Sequence, residues 1–104
     1  MKKTIERIVA RAVRVSEPEE VILFGSMASG TNNVYSDLDL LLVVDGDFSR
    51  RQIIEQVKQY ARELAVNADV LVYSKSEVEK AAREQPNSFL ASVLKSGKIT
   101  YKKP

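Results

Sequence analysis

Apolar residues recur at helical spacing from Thr4 to Val15, where Ile5, Ile8, Val9, Ala12 and Val13 alternate with Lys, Arg and Glu. This spacing predicts an amphipathic helix that stops before Pro18. The pattern then changes to short, unbroken apolar runs. Glu20 to Phe24 predicts a buried strand, and Asp37 to Val44 a second one, apolar enough to lie centrally in a sheet. Between them, the small residues from Ser26 to Gly30 predict one or two helical turns. Thr31 to Ser36 reads as a loop, with turn chemistry in Thr31-Asn32-Asn33. Asp45-Gly46-Asp47 is a turn. Ser49 to Gln52 has the spacing of a capping box and opens a long helix, with Ile53, Ile54, Val57, Tyr60, Ala61 and Leu64 on one face. Ala68 to Tyr73 predicts a third strand. A second capping box, Ser74 to Glu77, opens a helix near Val78 to Arg83. Pro86-Asn87 precedes a last helix, Ser88 to Lys95, with Gly97 where a C-cap is wanted. Lys98 to Tyr101 adds a short edge strand.

This alternation predicts an α/β (α+β) fold: a small mixed sheet of three to four strands flanked by helices. The 104 residues read as a single domain, 1–104, with no linker, internal repeat or low-complexity segment.

Composition narrows the chemistry. A hydrophobic content of 44% with 29% charged residues is that of a soluble globular protein. Sixteen basic and 14 acidic residues leave a net charge of +2, too balanced to argue for a nucleic-acid-binding surface. Cysteine is absent, which excludes disulfides and thiolate chemistry. Histidine is absent too, which excludes Ser-His-Asp catalysis, histidine metal sites and histidine bases. Catalysis, if present, uses carboxylates, hydroxyls, lysines and bound metal. No run approaches a membrane span and no signal-peptide core opens the chain, so a cytoplasmic location is expected.

The motif Phe24-Gly25-Ser26, ten residues, then Asp37-Leu38-Asp39 carries that chemistry. Residues i and i+2 of a strand share a face, so Asp37 and Asp39 project side by side. Two such carboxylates repel unless a proton or cation lies between them. A divalent ion such as Mg²⁺ suits them, shared with substrate phosphates. Gly25 lets the backbone approach a phosphate. Ser26 offers an N–H and a hydroxyl at a predicted helix start, where anions bind. Asp45 and Asp47 repeat the spacing, but they lie past the far end of the second strand with no Gly-Ser before them.

The pattern G-S-x10-D-x-D resembles the nucleotidyltransferase superfamily of DNA polymerase β. More narrowly, the chain is similar to the minimal nucleotidyltransferases (MNT), antitoxins found beside HEPN-type toxins. The resemblance extends to Asp69, at the head of the third strand. It implies that Asp37, Asp39 and Asp69 are catalytic and hold two Mg²⁺ ions, or Mn²⁺. One ion positions the attacking hydroxyl, with Asp69 helping to take its proton; the other holds the triphosphate. Gly25 and Ser26 bind the nucleotide, ATP or another NTP. The activity implied is transfer of a nucleoside monophosphate, AMP from ATP, to a hydroxyl, with a tyrosine of a partner toxin as acceptor. A non-catalytic antitoxin that occludes a HEPN toxin is an alternative, and transfer to a small molecule another.

One departure stands out. Family members often carry arginine where this chain has Ser29, which removes a charge that a triphosphate or a partner would use. Lys75, Arg50 and Arg51 are other sources of positive charge, though solvated helix starts are the simpler reading. Tyr35 either stacks on a base or covers the core. Tyr60, Phe89 and Tyr101 are expected to pack. A helical domain that larger relatives use to grip the nucleotide has no room here. A second copy of the chain or a partner toxin is expected to complete the cleft. The apolar face of Phe89, Leu90, Val93 and Leu94 is either a docking surface for it or the inner face of a helix, the latter preferred.

Overall fold

The computed structural model describes residues 2–25 and 37–104. Helix α1 (Lys2–Ser16) leads into β1 (Glu20–Phe24); β2 (Leu38–Val44) is followed by α2 (Arg50–Glu63), β3 (Ala68–Ser74), α3 (Lys75–Glu84), α4 (Phe89–Ser96) and β4 (Lys98–Lys102). The strands form one mixed sheet in the order β3-β2-β1-β4. β1 runs antiparallel to both β2 and β4, and β2 runs parallel to β3. The β2-to-β3 connection through α2 is a helical crossover, as a parallel pair requires. The helix expected from Ser26 to Gly30 and the loop after it lie outside the described residues.

Period-two alternation sends the strand side chains to two faces. Leu38, Leu40, Leu42 and Val44 of β2 join Val21 and Leu23 of β1 and Val70 and Val72 of β3 on one face, which α1 and α2 cover with Ile8, Ala12, Ile53, Val57 and Ala61. The other face is thinner: Ile22, Leu41 and Val93 are buried there, with Phe24, Leu71, Tyr73, Leu90 and Leu94 packed against them. α4 lies over β1 on that face, and α3 lies over β2 and β3.

Local signals in the sequence set the helix ends. The Ser74 hydroxyl accepts from the Glu77 N–H at 3.0 Å, and the Glu77 carboxylate accepts from the Ser74 N–H at 2.8 Å. That backbone bond, aided by the Ser74 hydroxyl and Arg50, holds the Glu77 carboxyl below its ordinary range. Gly97 caps α4 as its position predicts, donating to the Val93 carbonyl, with extended backbone at φ −71° and ψ 160°. Glycine is needed there for space: a Cβ would meet the Ile22 side chain and the Val93 carbonyl oxygen. Among the described residues no helix is long and apolar enough to cross a membrane.

Candidate active site

The strand alternation decides where the acidic residues point. Leu38 and Leu40 face α1 and α2, so Asp39 between them faces the thinner side. Asp69 lies between Ala68 and Val70, which also face α1 and α2, and so shares that side. Asp39 and Asp69 are register partners across the parallel β2–β3 pair, where neighbouring strands run about 4.8 Å apart. One step further inside, Leu41 and Leu71 are partners and form an apolar floor. Asp37 stands one residue before β2, and its Oδ1 accepts from the Asn67 side chain at 2.8 Å. The three expected carboxylates therefore occupy one end of the sheet, where β2 and β3 begin and β1 finishes.

The pair is electrostatically loaded. Asp39 is half-buried and Asp69 exposed. Burial pushes the Asp39 carboxyl above its ordinary value, and the negative charges of Asp69 and then Asp37 push it further, with a smaller contribution from hydrogen bonding to Asp69. Two carboxylates in register need a proton or a cation between them. The donor set is all oxygen, which suits a hard ion such as Mg²⁺ held by one or two carboxylates and completed by phosphate oxygens. Among the described residues no three acidic side chains converge on one point as a closed metal cage. Asp39 and Asp69 are the pair that fits, with Asp37 held at their rim by Asn67.

Gly25 closes the β1 side. Its φ of +76° suits glycine, and a Cβ there would collide with Oδ2 of Asp39. The chain thus passes directly against the Asp39 carboxylate. Ser26, Ser29 and Tyr35 lie outside the described residues.

Arg50, Arg51 and Lys75 are not brought to this site. Arg50 pairs with Glu77 at 2.6 Å, Arg51 with Glu55 at 3.2 Å and Lys75 with Glu19 at 4.0 Å. Arg50 and Lys75 lie at the opposite end of the sheet, where β3 ends at Ser74. Asp45 accepts from the Gly46 N–H at that same far end, as turn chemistry. An apolar groove of about 420 Å³ lined by Ile5, Val9, Val13 and Tyr101 lies on the α1 side of the sheet, away from the carboxylates.

Two features escaped the sequence. Asn67 is legible only once β3 is aligned beside β2. Phe89, expected to pack, is 62% exposed at the start of α4, although Val93 and Leu90 do form that helix's inner face.

A parallel carboxylate pair thus stands at the mouth of a mixed sheet, with a glycine turn pressed against it. The chain belongs to the nucleotidyltransferase domain family, whose model matches residues 2–100. It is 32% identical over 84 residues, 80% of this chain and 78% of the other, to protein MJ0604 of Methanocaldococcus jannaschii, which carries the provisional name protein adenylyltransferase. Its fold is similar to a chain from a toxin–antitoxin crystal structure with AMP-PNP, at a TM-score of 0.61 and 19% identity over 94% of this chain and 73% of that one. It is also similar to a chain of a toxin–antitoxin MntA–HpeT mutant, at 0.60 and 17% over the same shares.

Proposed function

We propose that this chain transfers a nucleoside monophosphate, AMP from ATP, to a hydroxyl group, and that it acts as the antitoxin of a pair by modifying a tyrosine of its HEPN-type toxin partner. The observation that carries the reading is the in-register Asp39–Asp69 pair with Gly25 against it. The adenylyltransferase name of the M. jannaschii relative and the toxin–antitoxin source of the structural neighbours support it.

Asp39 and Asp69, with Asp37 beside them, would hold Mg²⁺, which when bound neutralises charge on the triphosphate and the leaving group. Gly25 lets its backbone lie along the phosphates, and Ser26 supplies a hydroxyl and an N–H to them. Asp69 is the exposed member of the pair, and it accepts the proton of the incoming hydroxyl. The hydroxyl oxygen bonds to the α-phosphorus as the bond from that phosphorus to the bridging oxygen breaks. Pyrophosphate leaves with the electron pair. Asp37 and Asn67 hold the outer edge of the carboxylate row in place.

The test is label transfer from α-labelled ATP, with Mg²⁺ or Mn²⁺ and lysate of the protein's own host, beside the Asp37→Ala, Asp39→Ala double variant. A labelled protein band made by the wild type alone is expected, with the label on tyrosine. Absence of that band while the double variant still neutralises the partner would replace transfer by occlusion.

A further inference from the structure

We propose that Phe24 and Phe89 form a wall on which the nucleobase of the substrate stacks. This assignment rests on the nucleotidyltransferase reading above and extends it to the end of the nucleotide away from the phosphates.

Phe89 opens α4 with 62% of its surface exposed. Among the described residues only Ile99, on the edge strand β4, is another large hydrophobic side chain so exposed, at 53%. The Phe89 ring meets Phe24 edge to face, with centroids 6.0 Å apart and an interplanar angle of 77°. Such a pair leaves most ring faces uncovered by each other, and the exposure of Phe89 shows that its ring meets solvent. Phe24 is the last residue of β1 and the register partner of Asp39. Both point to the thinner side of the sheet, and opposed side chains of an antiparallel pair lie about 5 Å apart at Cβ. One row across the sheet therefore reads Phe24, Asp39, Asp69.

That order separates the two substrates. Gly25 follows Phe24 and presses on the Asp39 carboxylate, so phosphates held there have the aromatic wall on one flank. Asp69 is on the other flank, where the acceptor hydroxyl gives up its proton. The flat apolar end of a nucleotide has the Phe24–Phe89 surface beside it, while an acceptor tyrosine approaches from the opposite side. The wall carries no hydrogen-bonding group. It reads a base by its π-face, which every base has, and so adds affinity with little selectivity between bases.

The test is calorimetric titration of the full chain with AMP-PNP and Mg²⁺. Phe89→Ala is expected to weaken binding about tenfold, the loss typical of one base–aromatic stack, while keeping the wild-type Tm because the ring is largely exposed. Phe89→Trp is expected to bind at least as well as wild type. The chain has no tryptophan, so that variant places a single fluorophore in the wall, and AMP-PNP should quench it while inorganic tripolyphosphate does not. Equal affinity of wild type and Phe89→Ala with an unresponsive fluorophore overturns the wall and leaves the nucleotidyltransferase reading standing. Failure of the wild type to bind AMP-PNP at all overturns both.

Discussion

At the scale of single residues, Asp39 concentrates the conflict between folding and function. Burial and the charges of Asp69 and Asp37 raise its pKa. A carboxyl whose folded pKa is raised stabilises the fold fully below the ordinary carboxylate range. That contribution is lost as pH climbs through the raised folded value. At neutral pH the metal-free protein therefore carries uncompensated repulsion at the mouth of its sheet. Asp39→Asn is expected to raise the Tm of the metal-free chain by a few degrees at pH 7. The gain should shrink as pH falls through the raised Asp39 value toward the ordinary range, where the wild-type carboxyl is protonated. Mg²⁺ should act in the same direction on the wild type. A concentration tenfold above its Kd stabilises by about 1.4 kcal/mol, several degrees for a domain of this size. Thermal melts of both proteins, with and without Mg²⁺, check this. A wild type that ignores Mg²⁺, or an equal Mg²⁺ shift in Asp39→Asn, would remove the metal from the site.

At the scale of elements, the sequence was most legible where physics is local. Glu20–Phe24 was readable as a strand because every residue from Val21 to Phe24 is apolar, and the Ser74–Glu77 box was readable because its two hydrogen bonds span three residues. The carboxylates could be named for the same reason, since Asp37 and Asp39 sit within one short motif. Their pairing with Asp69 and Asn67 depends on the parallel register of β2 and β3, a long-range property that spacing along the chain does not encode. Phe89 could not be read as exposed, because its helical spacing with Val93 looks like that of a core residue. The end of α2 was equally hidden. Ala65 sits at φ +59°, with its N–H on the Arg62 carbonyl at 2.9 Å and the Val66 N–H on the Ala61 carbonyl at 2.9 Å. This is a Schellman ending with alanine where glycine is usual. The left-handed conformation costs an L-residue about 1–2 kcal/mol, offset in part by the larger chain entropy of unfolded glycine. Ala65→Gly should therefore stabilise by about 0.5–1 kcal/mol, measured by urea unfolding, with Ala65→Val moving the midpoint the other way. A loss of stability in Ala65→Gly would mean that the α2 ending carries no strain.

At the scale of the whole molecule, the two sides of the sheet are unequal, and the site is built on the weaker one. Among the described residues a contiguous cluster of sixteen buried side chains packs between the sheet, α1 and α2, while the buried cluster on the α4 side consists of Ile22, Leu41 and Val93. At about 25 cal/mol per Å² of apolar surface buried, the first layer contributes most of the driving force. The second is therefore expected to open at a lower free energy than the first. α4 is only eight residues long and fixes its ends with Ser88, which accepts from the Ala91 N–H at 3.1 Å, and Gly97. Native-state hydrogen exchange should show α4 amides exchanging through a sub-global opening, at a lower free energy than those of β1 and β2. If α4 amides are as protected as those of β2, the sheet is covered equally on both sides and this layering is wrong. The same measurement joins fold to function. Phe89 stands on α4 and Asp39 on β2, so a nucleotide that bridges the aromatic wall and the carboxylates ties the thinner layer to the thicker one. AMP-PNP with Mg²⁺ should then slow exchange in α4 more than in β2. Slowing confined to the ends of β2 and β3 would place the ligand on the carboxylates alone.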